Sequence, residues 1–132
     1  MRHYGMRPMT ASARAMLALT VFIALPAAAS CSLPVPDGAE KPPSLPNVVG
    51  RISGAGQGFI DVATRIGQPP VRVEYTRATL FYSSFGGDYE PSDLAVGQHV
   101  SVWFVSCRPA EKNVGHAAYL QLYSKDPTDQ PR

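Results

Sequence analysis

One run constrains this chain more than any other: His99 to Cys107, "HVSVWFVSC", which is apolar on much of both faces. A strand that must be covered on both sides is central, and in a small domain that means a sandwich or a sheet closed on itself. The surrounding residues agree. Between Val48 and Ser124 no window keeps the 3.6-residue period of an amphipathic helix. β-Branched and aromatic residues recur instead in short runs separated by glycine, proline and polar turns, the pattern of an all-β fold. The stretch holds about 77 residues, enough for one small core, although a domain of that size buries only about 60% of its unfolded surface.

The spacing predicts five strands. The first covers Asn47–Ser53, and the glycine-rich "GAGQG" turns the chain into the second, Phe59–Ile66, with Ile60, Val62 and Ile66 facing inward. The proline pair in "GQPP" has no N–H to give a ladder, so a turn belongs there. Strand three runs Val71–Ser83, with Val71, Val73 and Tyr75 on one side and Arg72, Glu74 and Thr76 in water. Its phase shifts near Arg77–Thr79, which implies a bulge or a corner. The connection "SFGGDYEPSDLAVGQ" sends Leu94 and Val96 toward the core and turns at Gly97 into strand four, His99–Cys107. A hairpin loop, "RPAEKNVG", leads to strand five, His116–Ser124. The result is a small five-stranded OB-like barrel, the usual way for so few strands to remove their edges.

The succession of strand, glycine turn and strand, then "TRATLFY", "SDLAVGQHVSVWF" and "HAAYLQL", resembles the small OB-type barrels of unknown function found in exported bacterial proteins and lipoproteins. Thr79, Asp93, Leu94, Gly97, Val100, Val102, Ala117 and Leu120 carry the resemblance, which covers most of residues 48–124. It implies the fold and an exported location. That family has no established catalytic residues, so the resemblance implies none here.

The segment ahead of the barrel reads as an address. Arg2, Arg7 and Arg14 with no acid precede the apolar run Met16–Leu25, then Pro26 and small residues follow, the three parts of a secretory signal. The run is too short to span a bilayer, which takes roughly 20 apolar residues. Residues 1–30 are therefore a signal peptide, 31–47 a Pro-rich tether, 48–124 the barrel domain and 125–132 a flexible tail. Without residues 1–30 the chain keeps nine Lys and Arg against ten Asp and Glu, a formal charge of −1. No basic cluster remains to neutralise phosphates, which argues against nucleic acid as a partner.

Cys31 stands at the junction of signal and tether. Ala28, Ala29, Ser30 and Cys31 resemble the lipoprotein signal at its last three positions, while Ala28 departs from the usual leucine at the first. That pattern implies a lipidated Cys31 and a membrane anchor. Residues 32–47 hold five prolines, and near polyproline geometry they would reach roughly 50 Å at about 3.1 Å per residue. The alternative for Cys31 is a disulfide to Cys107, which an oxidising compartment permits and which excludes the lipid because both need one sulfur. The chain is thus expected in the bacterial envelope, membrane-anchored and periplasm-facing, or soluble in the periplasm.

Candidate chemistry is sparse. No nucleophile elbow, catalytic triad spacing or phosphate-binding glycine loop is present, and no cofactor or metal set is implied. If the last hairpin centres between Glu111 and Lys112, Cys107 and His116 face each other, a thiol beside an imidazole. The plainer reading is a small buried cysteine near a strand-end histidine. Phe81, Tyr82, Phe85 and Tyr89 cluster in sequence around Gly86 and Gly87. Aromatics in a barrel loop suit a glycan or an envelope protein as partner, and the plainer reading makes them strand and barrel-end residues. The function expected is a non-catalytic envelope binding or accessory module anchored by a lipid at Cys31; the alternative is a soluble periplasmic structural or assembly protein with a Cys31–Cys107 disulfide, and a third reading is thiol or metal chemistry at Cys107 and His116.

Overall fold

The apolar run forms β5 (His99–Phe104), which lies between β1 (Val48–Gly56) and β6 (Val114–Leu122), antiparallel to both. The computed structural model describes residue 5 and residues 30–35, 42–84, 89–126 and 128–131. The signal expected over 1–30 falls almost wholly outside the described residues. β1 turns through Gln57 and Gly58, with Gly58 at φ +79°, into antiparallel β2 (Phe59–Ala63), which pairs with β3 (Val71–Glu74). β3 then meets β6 in parallel, Val73 opposite Gly115, and closes the ring β1-β2-β3-β6-β5. β4 (Leu80–Ser83) runs parallel to the other half of β6, Phe81 opposite Leu120. β3 and β4 act as one strand broken at a corner. The fold is a closed five-stranded barrel, all-β and compatible with an OB-like fold.

The corner sits where the phase shift placed it. Thr79 is buried; its hydroxyl donates to Ala117 O at 2.8 Å and accepts the Thr76 N–H at 3.0 Å. One side chain thereby satisfies backbone groups on both sides of the bend, which an apolar residue could not do. Beyond β4 a single 3₁₀ turn, Pro91–Asp93, precedes Gly97, whose φ of +96° makes the turn into β5.

Alternation fills the barrel. Ile52, Ile60, Val62, Val73, Val100, Val102, Leu120 and Leu122 are at most 1% exposed and form one cluster with Phe104. Gly115 lies over the Phe104 ring so closely that a Cβ there would strike it, and the ring occupies the space a side chain would take.

Several expectations are corrected. β2 ends at Ala63, because the chain enters a turn in which the Gln68 N–H donates to Arg65 O and Gly67 adopts φ +81°; Ile66, expected inside, is fully in water. Val96 is 66% exposed, and the neighbouring Gln98 takes the buried position. Its Oε1 accepts the Ala95 N–H at 2.8 Å and its Nε2 donates to the Tyr89 hydroxyl at 3.4 Å. β5 stops at Phe104, three residues before Cys107, and β6 begins at Val114.

Leu120→Ala should cost about 2–5 kcal/mol, the usual range for emptying a fully buried leucine site, whereas Ile66→Ser should stay within about 0.5 kcal/mol. Urea denaturation of both variants checks the pair. A large loss at Ile66 would restore the longer second strand.

Candidate functional site: the strap, the disulfide and the outer faces

After β5 the chain leaves the ladder in a 3₁₀ turn, Val105–Cys107, where Ser106 and Cys107 both hold left-handed backbone, φ 56° and 51°. The turn brings Cys107 to Cys31, and the two form a disulfide with a Cα–Cα distance of 5.5 Å across a sequence separation of 76. Neither of the chain's two cysteines is a free thiol in this structure. The sulfur that lipid attachment at Cys31 would need is engaged. By the loop-entropy account a closure of that length stabilises the fold by about 4 kcal/mol.

The proposed thiol and imidazole pair does not form. The last hairpin turns one residue later than expected, with Lys112 and Asn113 at φ 51° and 62° and reciprocal 2.9 Å bonds between Glu111 and Val114. Positive φ at both central residues is the signature of a type I′ turn, whose twist matches the strands it joins. Phe104 pairs with Ala117 and Glu111 with Val114, so residues 105–110 bow out against residues 115 and 116 alone. Cys107 is carried away to the strap. His116 stands opposite Glu74 instead, its Nδ1 3.3 Å from Glu74 Oε2.

Residues 30–35 and 42–46 form a strap, not an extended tether. The Ser44 N–H donates to Ser32 O at 2.7 Å and the Ser32 N–H to Ser44 Oγ at 2.9 Å, so the two limbs lie side by side. The disulfide accounts for this: it returns the chain to the barrel that an unlinked proline-rich segment would leave. The indole N–H of Trp103 donates to Ser44 O at 2.7 Å. Asn47 seals the junction, its N–H bonding Val102 O, its Oδ1 accepting the Phe104 N–H at 2.8 Å and its Nδ2 donating to Cys107 O at 3.2 Å.

Trp103 and Tyr119 are cross-strand partners on the face of β5 and β6 that points out of the barrel, yet they are only 5% and 4% exposed. Their rings meet edge-on at 5.4 Å, and Tyr82 stacks on Tyr119 at 5.0 Å. This row is a second apolar layer outside the core, with Ser44 of the strap against it. Burial, and then the neighbouring Tyr82, hold the Tyr119 hydroxyl above its ordinary pKa.

The aromatic residues singled out from sequence do not make one site. Adjacent residues of a strand point to opposite faces: Phe81 packs on the core, edge-on to Tyr75 at 5.3 Å, while Tyr82 joins the outer row. Tyr89 packs on the core beside Gln98, and Phe85 lies outside the described residues.

A polar surface that the sequence reading left as solvated strand residues lies on the opposite wall. Arg72 reaches across the β2–β3 pair to Asp61 with both ends of its fork, Nε to Oδ1 at 2.9 Å and a terminal nitrogen to Oδ2 at 3.0 Å, and its guanidinium lies 4.0 Å over the Phe59 ring. The alternation of Phe59 and Asp61 against Arg72 and Glu74 was the available signal. At the end of this wall, between the 3₁₀ turn and the hairpin, opens a cleft of about 650 Å³ with Val105, Arg108, Pro109, Glu111 and His116 on its walls and Phe104 beneath. It presents the Arg108 guanidinium, the His116 imidazole, the Glu111 carboxylate and the Ser106 hydroxyl around an apolar floor. Among the described residues no three His, Cys, Asp or Glu side chains are grouped to hold a metal ion.

The Arg72 guanidinium, by hydrogen bonding and then by its charge, holds the Asp61 carboxyl below its ordinary value of 3.8. A carboxyl whose folded-state pKa lies below its unfolded one contributes stability above about pH 4, and that contribution is lost as pH falls through the folded value. Asp61→Asn should therefore flatten the decline of the urea midpoint between about pH 4 and pH 2 and lower it only slightly at neutrality, since exposed pairs contribute little. An unchanged acid limb would show that the pair carries none of it.

No protein-family model matches the chain, and neither does a curated protein or a solved structure.

Proposed function

We propose that this protein is an exported, non-catalytic binding or accessory module of a bacterial envelope, working in an oxidising compartment as a disulfide-closed barrel. The Cys31–Cys107 disulfide carries the reading. Such bonds persist in the periplasm and outside the cell, and glutathione and thioredoxin remove them from the cytosol. The charged start, short apolar run and small-residue exit of residues 1–30 agree with export.

The binding surface is the outer face of β2 and β3 with the adjoining cleft at Arg108, Glu111 and His116. Five-stranded barrels of this shape present that wall and the loop before the last strand to oligomeric ligands, a warrant of fold analogy. With a net charge of −1 after the signal and carboxylates at Asp61, Glu74 and Glu111, the surface suits a glycan or an envelope protein better than a polyanion.

A lipid-anchored protein is the second reading, and the Ala28-Ala29-Ser30-Cys31 pattern favours it. The disulfide ranks it second, because acylation and the bond compete for one sulfur. Intact mass of the protein isolated from envelopes separates the two. The expected result is no alkylation before reduction, two alkylated cysteines after it, and recovery in the soluble fraction. A mass with added acyl chains and one alkylatable thiol, Cys107, would replace the first reading with the second.

A further inference from the structure

We propose that the Cys31–Cys107 disulfide is a redox latch on the strap, and that its reduction frees residues 30–35 and 42–46 and uncovers the Trp103–Tyr119–Tyr82 face. The inference rests on the disulfide reading of the previous section and adds to it a conformational consequence.

The latch joins two segments that both lie outside the β-ladder, Cys31 in the strap and Cys107 in the 3₁₀ turn beyond β5. Each is half-exposed, so a dithiol can reach the bond. Apart from it the strap holds the barrel weakly. The two Ser32–Ser44 bonds are internal to the strap, and among the described residues the hydrogen bond that ties it to the barrel is the indole N–H to Ser44 O. Of the strap's apolar side chains, Leu45 and Val35 stand in water, 88% and 55% exposed, while Leu33, Pro34 and Pro46 are partly buried. Ordering a segment costs about 1–2 kcal/mol of conformational entropy at every residue, and one indole hydrogen bond with three partly buried side chains does not offset it over eleven residues. The covalent link keeps the strap in place.

The release point is defined. Asn47 keeps its bonds to Val102 and Phe104 whether or not the disulfide is intact, because both partners belong to β5. Residues upstream of Asn47 can then leave without unzipping β1. The strap meets the aromatic face at Trp103, through Ser44, and Trp103 is already packed on Tyr119 and Tyr119 on Tyr82, so the face is preformed. In the opening step a dithiol reductant supplies two electrons and two protons. The Sγ–Sγ bond breaks, Cys31 and Cys107 become thiols, and the reductant is left as a disulfide. Reoxidation by a disulfide donor of the same class reverses each change and closes the strap.

Trp103 is the chain's single tryptophan, so its fluorescence reports the strap directly. The oxidised protein should show blue-shifted emission and weak quenching by acrylamide. After reduction the expected result is two titratable thiols, red-shifted emission and several-fold stronger quenching, with the far-ultraviolet circular dichroism of the sheet unchanged. A Cys107→Ser variant should match the reduced protein with or without reductant. Two thiols with unchanged quenching would mean that the strap stays down unaided, which overturns the latch. Collapse of the sheet signal on reduction, and in Cys107→Ser, would make the bond a lock on the whole barrel and overturns it equally. A thiol that titrates before reduction is a different result, since there the disulfide itself is missing and both proposals fall.

Discussion

Everything in this domain depends on β6 having a partner along both edges. β5 runs antiparallel along one edge; β3 takes the first part of the other and β4 the second. A nine-residue strand with one edge open would expose a row of unpaired N–H and C=O groups, and so short a sheet has little core with which to offset that. Closure requires β3 and β4 to be two pieces of one wall set at an angle. The Thr79 hydroxyl, bonded to β6 at Ala117 O and to the turn at Thr76 N–H, makes that angle without leaving a buried backbone group unpaired.

Closure also sorts the side chains of β5 into two environments. Val100, Val102 and Phe104 fill the barrel, while Ser101 and Trp103 face outward and are nevertheless buried. Most small barrels can leave their outer surface to water. This one places a Trp–Tyr–Tyr row there, and such a row needs cover because apolar surface of that size is costly to hydrate. The strap is positioned for this, and the disulfide makes its position affordable in entropy. The barrel is thus held by hydrogen-bonded pairing, and the strap by a covalent closure together with the indole bond to Ser44.

This division explains what could be read from the residues. Inward positions such as Ile60, Val62 and Val73 follow from a period of two, and the corner at Thr79 and the turn at Gly97 follow from breaks in it. Ile66 escapes the alternation because it lies beyond the last ladder residue of β2, where a turn resets which way a side chain points, and Val96 because the connection before β5 buries Gln98 in its stead. The last hairpin was misjudged by one residue because Lys112 and Asn113 take left-handed backbone without the glycine that normally announces it. Cys107 and His116 do not pair because β5 leaves the ladder after Phe104 and residues 105–110 bow out, carrying Cys107 to the strap. The aromatic cluster failed for a separate reason: neighbours in a strand are on opposite faces. The strap follows from the Cys31–Cys107 alternative, a bond across 76 positions, and not from the proline-rich composition, which describes the segment only when it is free.

The position of that bond within the fold also bears on what the molecule can do. A crosslink acts on the unfolded chain through the loop it closes, growing with the logarithm of its length, and on the folded one only where its ends are attached. Cys31 and Cys107 enclose β1 to β5 in sequence, though not β6, yet in space they touch the end of one strand and the strap beside it. The bond can therefore restrain the unfolded ensemble broadly while deciding, in the folded state, the position of a single segment. The β2–β3 wall and its cleft reach that segment through the same turn, since Val105 and Arg108 flank Cys107. The turn that carries Cys107 thus adjoins both surfaces: its sulfur holds the strap that bonds Trp103 of the aromatic row, and its neighbouring residues line the cleft.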